Sequence, residues 1–365
     1  MYAKLSFYSF LAFFLLVFTL NCSAQPIADA NALESLRALT KGGRLPAESV
    51  VQAIEQRNAG KHIGALARLL RGRIRFENKD FRGAAVLLNT DEIAKLTNLG
   101  DYALWLRGKA LQGDGDHAGA MLLFEQLTRE YSESLRVTAA RMGWAESAIA
   151  AGRQAAVPGI LAVPNEAHMP ESLLLTAQSY EVSGNLAEAN RFYRRAYLYG
   201  GNGAAAKDAE VKLRSQGIDM VAELGDIDAE ERKLRADRLL AMGAPALAFD
   251  SYTNFLARHP KAVTPEIHLK RMTAAVRAND PLKAQAAFNA MPAAMEGRDQ
   301  GFRDLVNAYA KAKQWPRARA VADEMRQAYP QSPLTVKAWV EAGYAARDAK
   351  NRGEETHVLR TALIY

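Results

Sequence analysis

Arg191, Arg194 and Arg195 stand just ahead of Tyr197 and Tyr199, a grouping of guanidinium forks and aromatic faces that suits a sugar ring or an anionic peptide stem. The same spacing allows a plainer role. Tyr193 and Tyr197 fall four apart and would pack between helices, leaving the arginines to solvate an outer face. Forty Asp and Glu are available for acid–base work, but glycoside cleavage needs two of them converging across a cleft, one in an apolar pocket. No pair stands apart from charges spread at helical spacing. His62, His117, His168, His259, His268 and His357 show no metal-ligand spacing, and each reads as a surface or turn residue. The run Gly201-Asn202-Gly203-Ala204-Ala205-Ala206 mimics a dinucleotide fingerprint, yet what precedes it has helical spacing where a strand is required. Asp114-Gly115-Asp116 hints at calcium, but it lacks the later glutamate of a calcium loop and reads as a polar turn. Cys22 is the only cysteine, so no disulfide or zinc cluster is expected. The sequence therefore predicts no catalytic residue, no metal and no cofactor, and the chain is read as not an enzyme.

The elements that carry these residues follow a ruler of small side chains. Ala84, Ala120, Ala155, Ala189, Ala248, Ala284 and Ala318 recur at steps near 35, broken by one longer step, and the next step lands on Gly353. This is the period of a tetratricopeptide helix-turn-helix, in which a small residue on the second helix lets the first approach closely. Other offsets agree. Gly108 precedes Ala120 and Phe124 follows it, Tyr252 and Phe255 follow Ala248, and Pro260 and Pro330 end second helices. No window alternates as a strand. The predicted fold is all-α, a right-handed α-solenoid of tetratricopeptide-like repeats. Trp105, Trp144, Trp315 and Trp339 lie at repeat spacing and read as fillers between helices before groove-lining residues.

Residues 1–24 read as a signal peptide: Lys4, an apolar run over 5–20, then Cys22-Ser23-Ala24. Export to the periplasm is expected, with lipidation at Cys22, and so membrane tethering, as the weaker alternative because Asn21 precedes it. The net charge of +7 is mild, and without blocks of like charge it implies at most screened attraction to anionic polymers. No nucleic acid is expected. Residues 25–100 hold introductory helices and a first repeat, with a turn at Gly42, Gly43 and Pro46. A first array covers 101–217. After an acidic break, where Asp226, Asp228, Glu230 and Glu231 prepare a helix start, a second array covers 218–365 and ends within a repeat.

The stretches DYALWLRGKALQ, AMLLFEQLTREYSES, ESLLLTAQSYEVSGNLAEANRFYRRAYLYGG and AAAKDAEVKLRSQGI resemble the helical superhelix region of soluble lytic murein transglycosylases. Tyr197 and Tyr199, the run 205–213, and Glu230, Glu231, Arg232, Ala236, Leu239, Leu240 and Gly243 carry that resemblance. It implies a long arc of helices followed by a lysozyme-like catalytic domain with a Glu-Ser, a Gly-Leu-Met-Gln and an Ala-Tyr-Asn-Ala-Gly stretch. The two longer stretches do not occur here, and Glu-Ser begins at Glu34, Glu48, Glu133, Glu146 and Glu171, too often to single one out. The resemblance thus implies an envelope scaffold binding peptidoglycan or partner proteins. A split or truncated transglycosylase and a general periplasmic adaptor are the alternatives.

Overall fold

The computed structural model describes residues 27–41, 43–164, 166–218 and 228–364; the leader with Cys22, and Asp226 in the acidic break, lie outside them. The described residues form helices and turns, without a strand. They divide into two compact units, the described residues up to 167 with 175–189, and residues 168–174 with the described residues from 190 onward.

In the first unit α1 (Ile27–Thr40) and α2 (Glu48–Arg57) precede the hairpin of α3 (His62–Glu77) and α4 (Phe81–Leu87). A short α5 (Glu92–Leu96) is inserted before the next hairpin, α6 (Gly100–Asp114) with α7 (His117–Glu130). Then follow α8 (Val137–Ala150) and, after a 3₁₀ turn, the five-residue α9 (Val157–Leu161). Helices α10 (Pro170–Val182) and α11 (Leu186–Gly200) each give part of their length to each unit. The second unit continues with α12 (Ala204–Ser215) and four hairpins: α13 (Ala229–Ala241) with α14 (Pro245–Arg258), α15 (Pro265–Arg277) with α16 (Pro281–Asn289), α17 (Arg298–Lys311) with α18 (Trp315–Ala328), and α19 (Pro333–Asp348) with α20 (Arg352–Ala362). One continuous apolar core runs from Ala236 to Ala362 through these hairpins.

The ruler holds at the six marks where its alanine is the fourth residue of a second helix. Ala84, Ala120, Ala189, Ala248 and Ala284 are 0% exposed and Ala318 is 2% exposed. Two marks fail. Ala155 is exposed in the 3₁₀ turn, because the second helix there starts late, at Val157. Gly353 is exposed in the first turn of α20, whose fourth residue is Glu355, and the buried contacts fall on Val358 and Ala362. A constant step cannot follow a turn that lengthens.

Each hairpin turn is made by a left-handed residue five ahead of that fourth position: Lys79, Gly115, Gly184, Gly243, Asn279, Lys313 and Lys350. At six of these turns the next N–H returns to a carbonyl five residues back, as in Asp80 N–Arg75 O at 2.9 Å and Gln314 N–Tyr309 O at 2.9 Å. Aspartates then cap the second helices, Asp80 to Gly83 N, Asp116 to Gly119 N and Asp280 to Lys283 N. The polar-turn reading of Asp114-Gly115-Asp116 is this device. Asp228 likewise caps α13 through Glu231 N at 2.8 Å.

Close approach is secured by missing side chains on the first helices. A Cβ on Gly72 would lie 2.5 Å from Leu88, one on Gly108 2.7 Å from Phe124, and one on Gly343 2.5 Å from Leu359. In all three pairs the large residue is sixteen positions later. At α2–α3 the contact is ionic: Arg71 donates to Glu48 at 3.0 Å and to Glu55 at 2.6 Å, and Arg75 donates to Glu48 at 2.8 Å. Burial opposes the Glu48 charge, but Arg75 and Arg71 outweigh it and hold the carboxyl below its usual range.

Two outcomes are expected. Gly108→Leu lowers unfolding stability by about 1–3 kcal/mol in urea titrations, and Phe124→Ala added to it recovers part of the loss. Because the Glu48 pKa is depressed on folding, its contribution is complete above the unfolded value and is lost as pH falls through the folded one. Stability of Glu48→Gln, measured by urea midpoint between neutral pH and pH about 4, should therefore be lower at neutral pH and fall less on acidification.

Candidate interaction site

Helix α11 carries the five residues singled out in the sequence, and its stripe Ala189, Tyr193, Ala196 and Gly200 is buried. That burial turns the arginines and the two later tyrosines toward its flanks, where they separate into two groups. Arg195 and Tyr199 come together. The Arg195 guanidinium lies 5.8 Å from the Tyr199 ring centroid and 5.7 Å from that of Phe192. Its Nη2 donates to Nδ1 of His168 at 3.2 Å, and the His168 ring stacks on Tyr199 at 5.7 Å and 11°. His168 is exposed and Arg195 and Tyr199 are half-buried, so a cation, an imidazole and a phenol share one partly accessible surface. Glu231 feels Arg195 as well, although burial, followed by Asp228, keeps its carboxyl above the usual range.

Tyr197 goes elsewhere. The Arg235 guanidinium of α13 sits 3.6 Å from the Tyr197 ring centroid and donates to the carbonyls of Tyr197 at 2.7 Å and Gly201 at 3.2 Å. A cation thus closes the carbonyl end of α11, where the helix dipole favours it. Burial lowers the Arg235 pKa and raises that of the Tyr197 phenol. This pair is packing: Tyr197 and Tyr199 are both half-buried, but the Tyr197 ring face is taken by Arg235 whereas Tyr199 faces the exposed His168. Arg191 is exposed and Arg194 half-buried, and both have partners of their own. Phe192 was visible in the sequence as the neighbour three before Arg195. His168 was not, because only the chain reversal between α10 and α11 delivers it.

A second feature lies on the first helices of the later hairpins. Asp237 of α13 accepts from Tyr252 at 2.5 Å and from Lys270 of α15 at 2.9 Å, and Lys270 also pairs with Glu266 at 2.7 Å. Burial would raise the Asp237 carboxyl, but the Tyr252 and Lys270 bonds bring it below the usual range. Further on, Asn307, Lys311, Lys313, Glu341, Tyr344 and Asp348 border a groove of about 430 Å³ between α17 and α19. Beside it Asp304 is buried, and burial, opposed by Arg303 at 2.9 Å, pushes its carboxyl up.

The remaining sequence candidates have structural settings. Glu48 is in the ionic network, Glu34 pairs with Arg37 at 2.6 Å, and Glu146 lies 3.6 Å from Lys109. Trp339 is 2% exposed, while Trp105, Trp144 and Trp315 are half-buried against apolar clusters. Gly201 and Gly203 turn the chain from one helix into another. His268 departs from the surface-or-turn reading: it sits on α15, 7% exposed, and burial, then Arg271, lowers its pKa so that the ring is neutral at pH 7. Its place on the apolar stripe between Ile267 and Met272 accounts for this.

Residues 102–134, the α6–α7 hairpin, match the tetratricopeptide repeat family. Solved structures similar to the chain include the APC/C hetero-tetramer Cut9–Hcn1, at 13% identity over 87% of this chain and 68% of that one with a TM-score of 0.35. A tetratricopeptide repeat protein from Parabacteroides merdae is similar at 13% identity over 72% and 91%, with a TM-score of 0.28. The TPR2AB domain of yeast Sti1, solved in complex with a pHSP90, is similar at 13% over 80% and 98%, with a TM-score of 0.23. No curated protein matches. The all-α, tetratricopeptide-type scaffold therefore rests on the hairpins themselves and on the matched repeat.

The two groups on α11 should separate by mutation. Arg235→Met strands two carbonyls and a ring face, and a loss of about 2–4 kcal/mol in unfolding stability is expected. Arg195→Ala should shift the same urea measurement by less than about 0.5 kcal/mol.

Proposed function

We propose that this chain is an exported helical-repeat scaffold of the bacterial cell envelope, similar to the noncatalytic arc of a soluble lytic transglycosylase, that binds peptidoglycan or an envelope protein. The observation that carries this reading is the joining of a signal-type leader, Lys4 with the apolar run over 5–20, to a chain built of helical hairpins. Stacked hairpins spend their buried faces on one another and leave long polar and aromatic flanks free for large ligands. The partly accessible Arg195, His168 and Tyr199 surface supports a glycan or stem peptide, since a guanidinium and flat rings complement sugar faces and carboxylates. The mixed-charge groove between α17 and α19 supports a protein segment instead.

The test is co-sedimentation with purified sacculi beside a pull-down from an envelope extract, using the mature chain. Binding to sacculi that Arg195→Ala weakens several-fold supports the glycan arm. Retention of a defined envelope protein, lost on charge reversal at Lys311 and Glu341, supports the protein arm. Fractionation should place the chain in the periplasm; recovery in the cytoplasm, or release of anhydromuropeptides by the chain alone, would sink the proposal.

A further inference from the structure

Beside the short α5 inserted between the first two hairpins lies a feature independent of the proposed envelope role. The segment after α4, the start of α5, α6 and the end of α7 border a cavity of about 590 Å³. Such a volume is in the range of small-ligand sites. Leu88, Ala103 and Leu104 supply its apolar wall, and Asn89, Thr90 and Gln126 its neutral polar groups. Tyr131 reaches over Gly100, where a Cβ would come 2.3 Å from the phenol oxygen, so a missing side chain keeps that oxygen in place.

Arg107 lines this cavity from α6. It is half-buried, its Nε is buried without a hydrogen-bond partner, and among the described residues no acid offsets the burial that lowers its pKa. The carboxylates nearby are otherwise engaged: Asp91 pairs with Lys95, and Glu130 accepts from Gln126 at 3.0 Å and from Arg129 at 3.3 Å. One donor of an always-charged fork is thus buried without an acceptor while the rest of the guanidinium is only partly covered, an arrangement that is costly unless something else supplies an acceptor. What it lacks is one planar anion. Two ionised acids on the rim disfavour a multiply charged group such as phosphate, whereas a carboxylate brings a single charge and matches the guanidinium fork.

We propose that this cavity is a binding site for a single carboxylate group, held by the Arg107 guanidinium and flanked by the neutral side chains Asn89, Thr90 and Gln126. The carboxylate is either the free end of a peptide or that of a small organic acid.

The experiment is calorimetric titration of the full chain with N-acetyl-Ala-Ala, its C-terminal amide, acetate and inorganic phosphate, each to millimolar concentration. Binding of the free-acid dipeptide but not the amide or phosphate is expected; equal binding of acetate marks a small acid, and tighter dipeptide binding marks a peptide end. Arg107→Met should weaken carboxylate binding by about tenfold or more, while its urea midpoint stays level or rises because an unpaired charge has gone. If Arg107→Met does not fold, Arg107→Lys, which keeps the charge but not the fork, should still lose several-fold. Absence of carboxylate binding to the native chain, equal binding of acid and amide, or unchanged affinity in a folded Arg107 variant would overturn the proposal.

Discussion

The distance between the two helices of a hairpin governs this molecule. It is set by volume, because a first helix can settle against the second only where one side chain is nearly absent and the opposite one fills the gap. Gly72 with Leu88, Gly108 with Phe124 and Gly343 with Leu359 are three instances of one exchange. Sixteen positions apart in two later hairpins stand Ala236 and Tyr252, and Val306 and Ala322, each pair again with one small member. Native packing density tolerates little else, and the fourth-position alanines are the same constraint seen from the second helix.

Once that distance is fixed, polar chemistry is pushed to the edges of the stack. Several charges inside it are held by partners. Arg71 rests between two glutamates, Asp237 between a phenol and an ammonium, and Arg235 against two carbonyls and a ring. Arg195 with His168 and Tyr199 on one unit, and the rim of the α5 cavity on the other, lie at those edges.

Much of the fold could be read in advance because burial by size and period is a local property. The alanine marks follow from it, and the closing prolines and the polar turn at Asp114-Gly115-Asp116 follow from equally local backbone chemistry. The failures at Ala155 and Gly353 have one physical origin, a turn or late helix start that shifts the register without altering residue type. The site was less legible. Arg195 and Tyr199 are neighbours on one helix face, so spacing finds them, but His168 arrives through a reversal of the chain, and Tyr197 is removed by an arginine from the following hairpin. Arg107 gives no sign of itself in the sequence at all. A missing counter-ion is a fact about surroundings, and no spacing rule encodes it.

Three of the hairpin turns place lysine, not glycine, in the left-handed conformation: Lys79, Lys313 and Lys350, all exposed at the tips. A trypsin-like protease must draw several residues on either side of such a lysine into an extended strand before it can cut. The returning hydrogen bond and the helices on both sides forbid that shape while the hairpin is closed. These tips are visible yet shielded, so a nick at one of them would record the momentary opening of that hairpin alone.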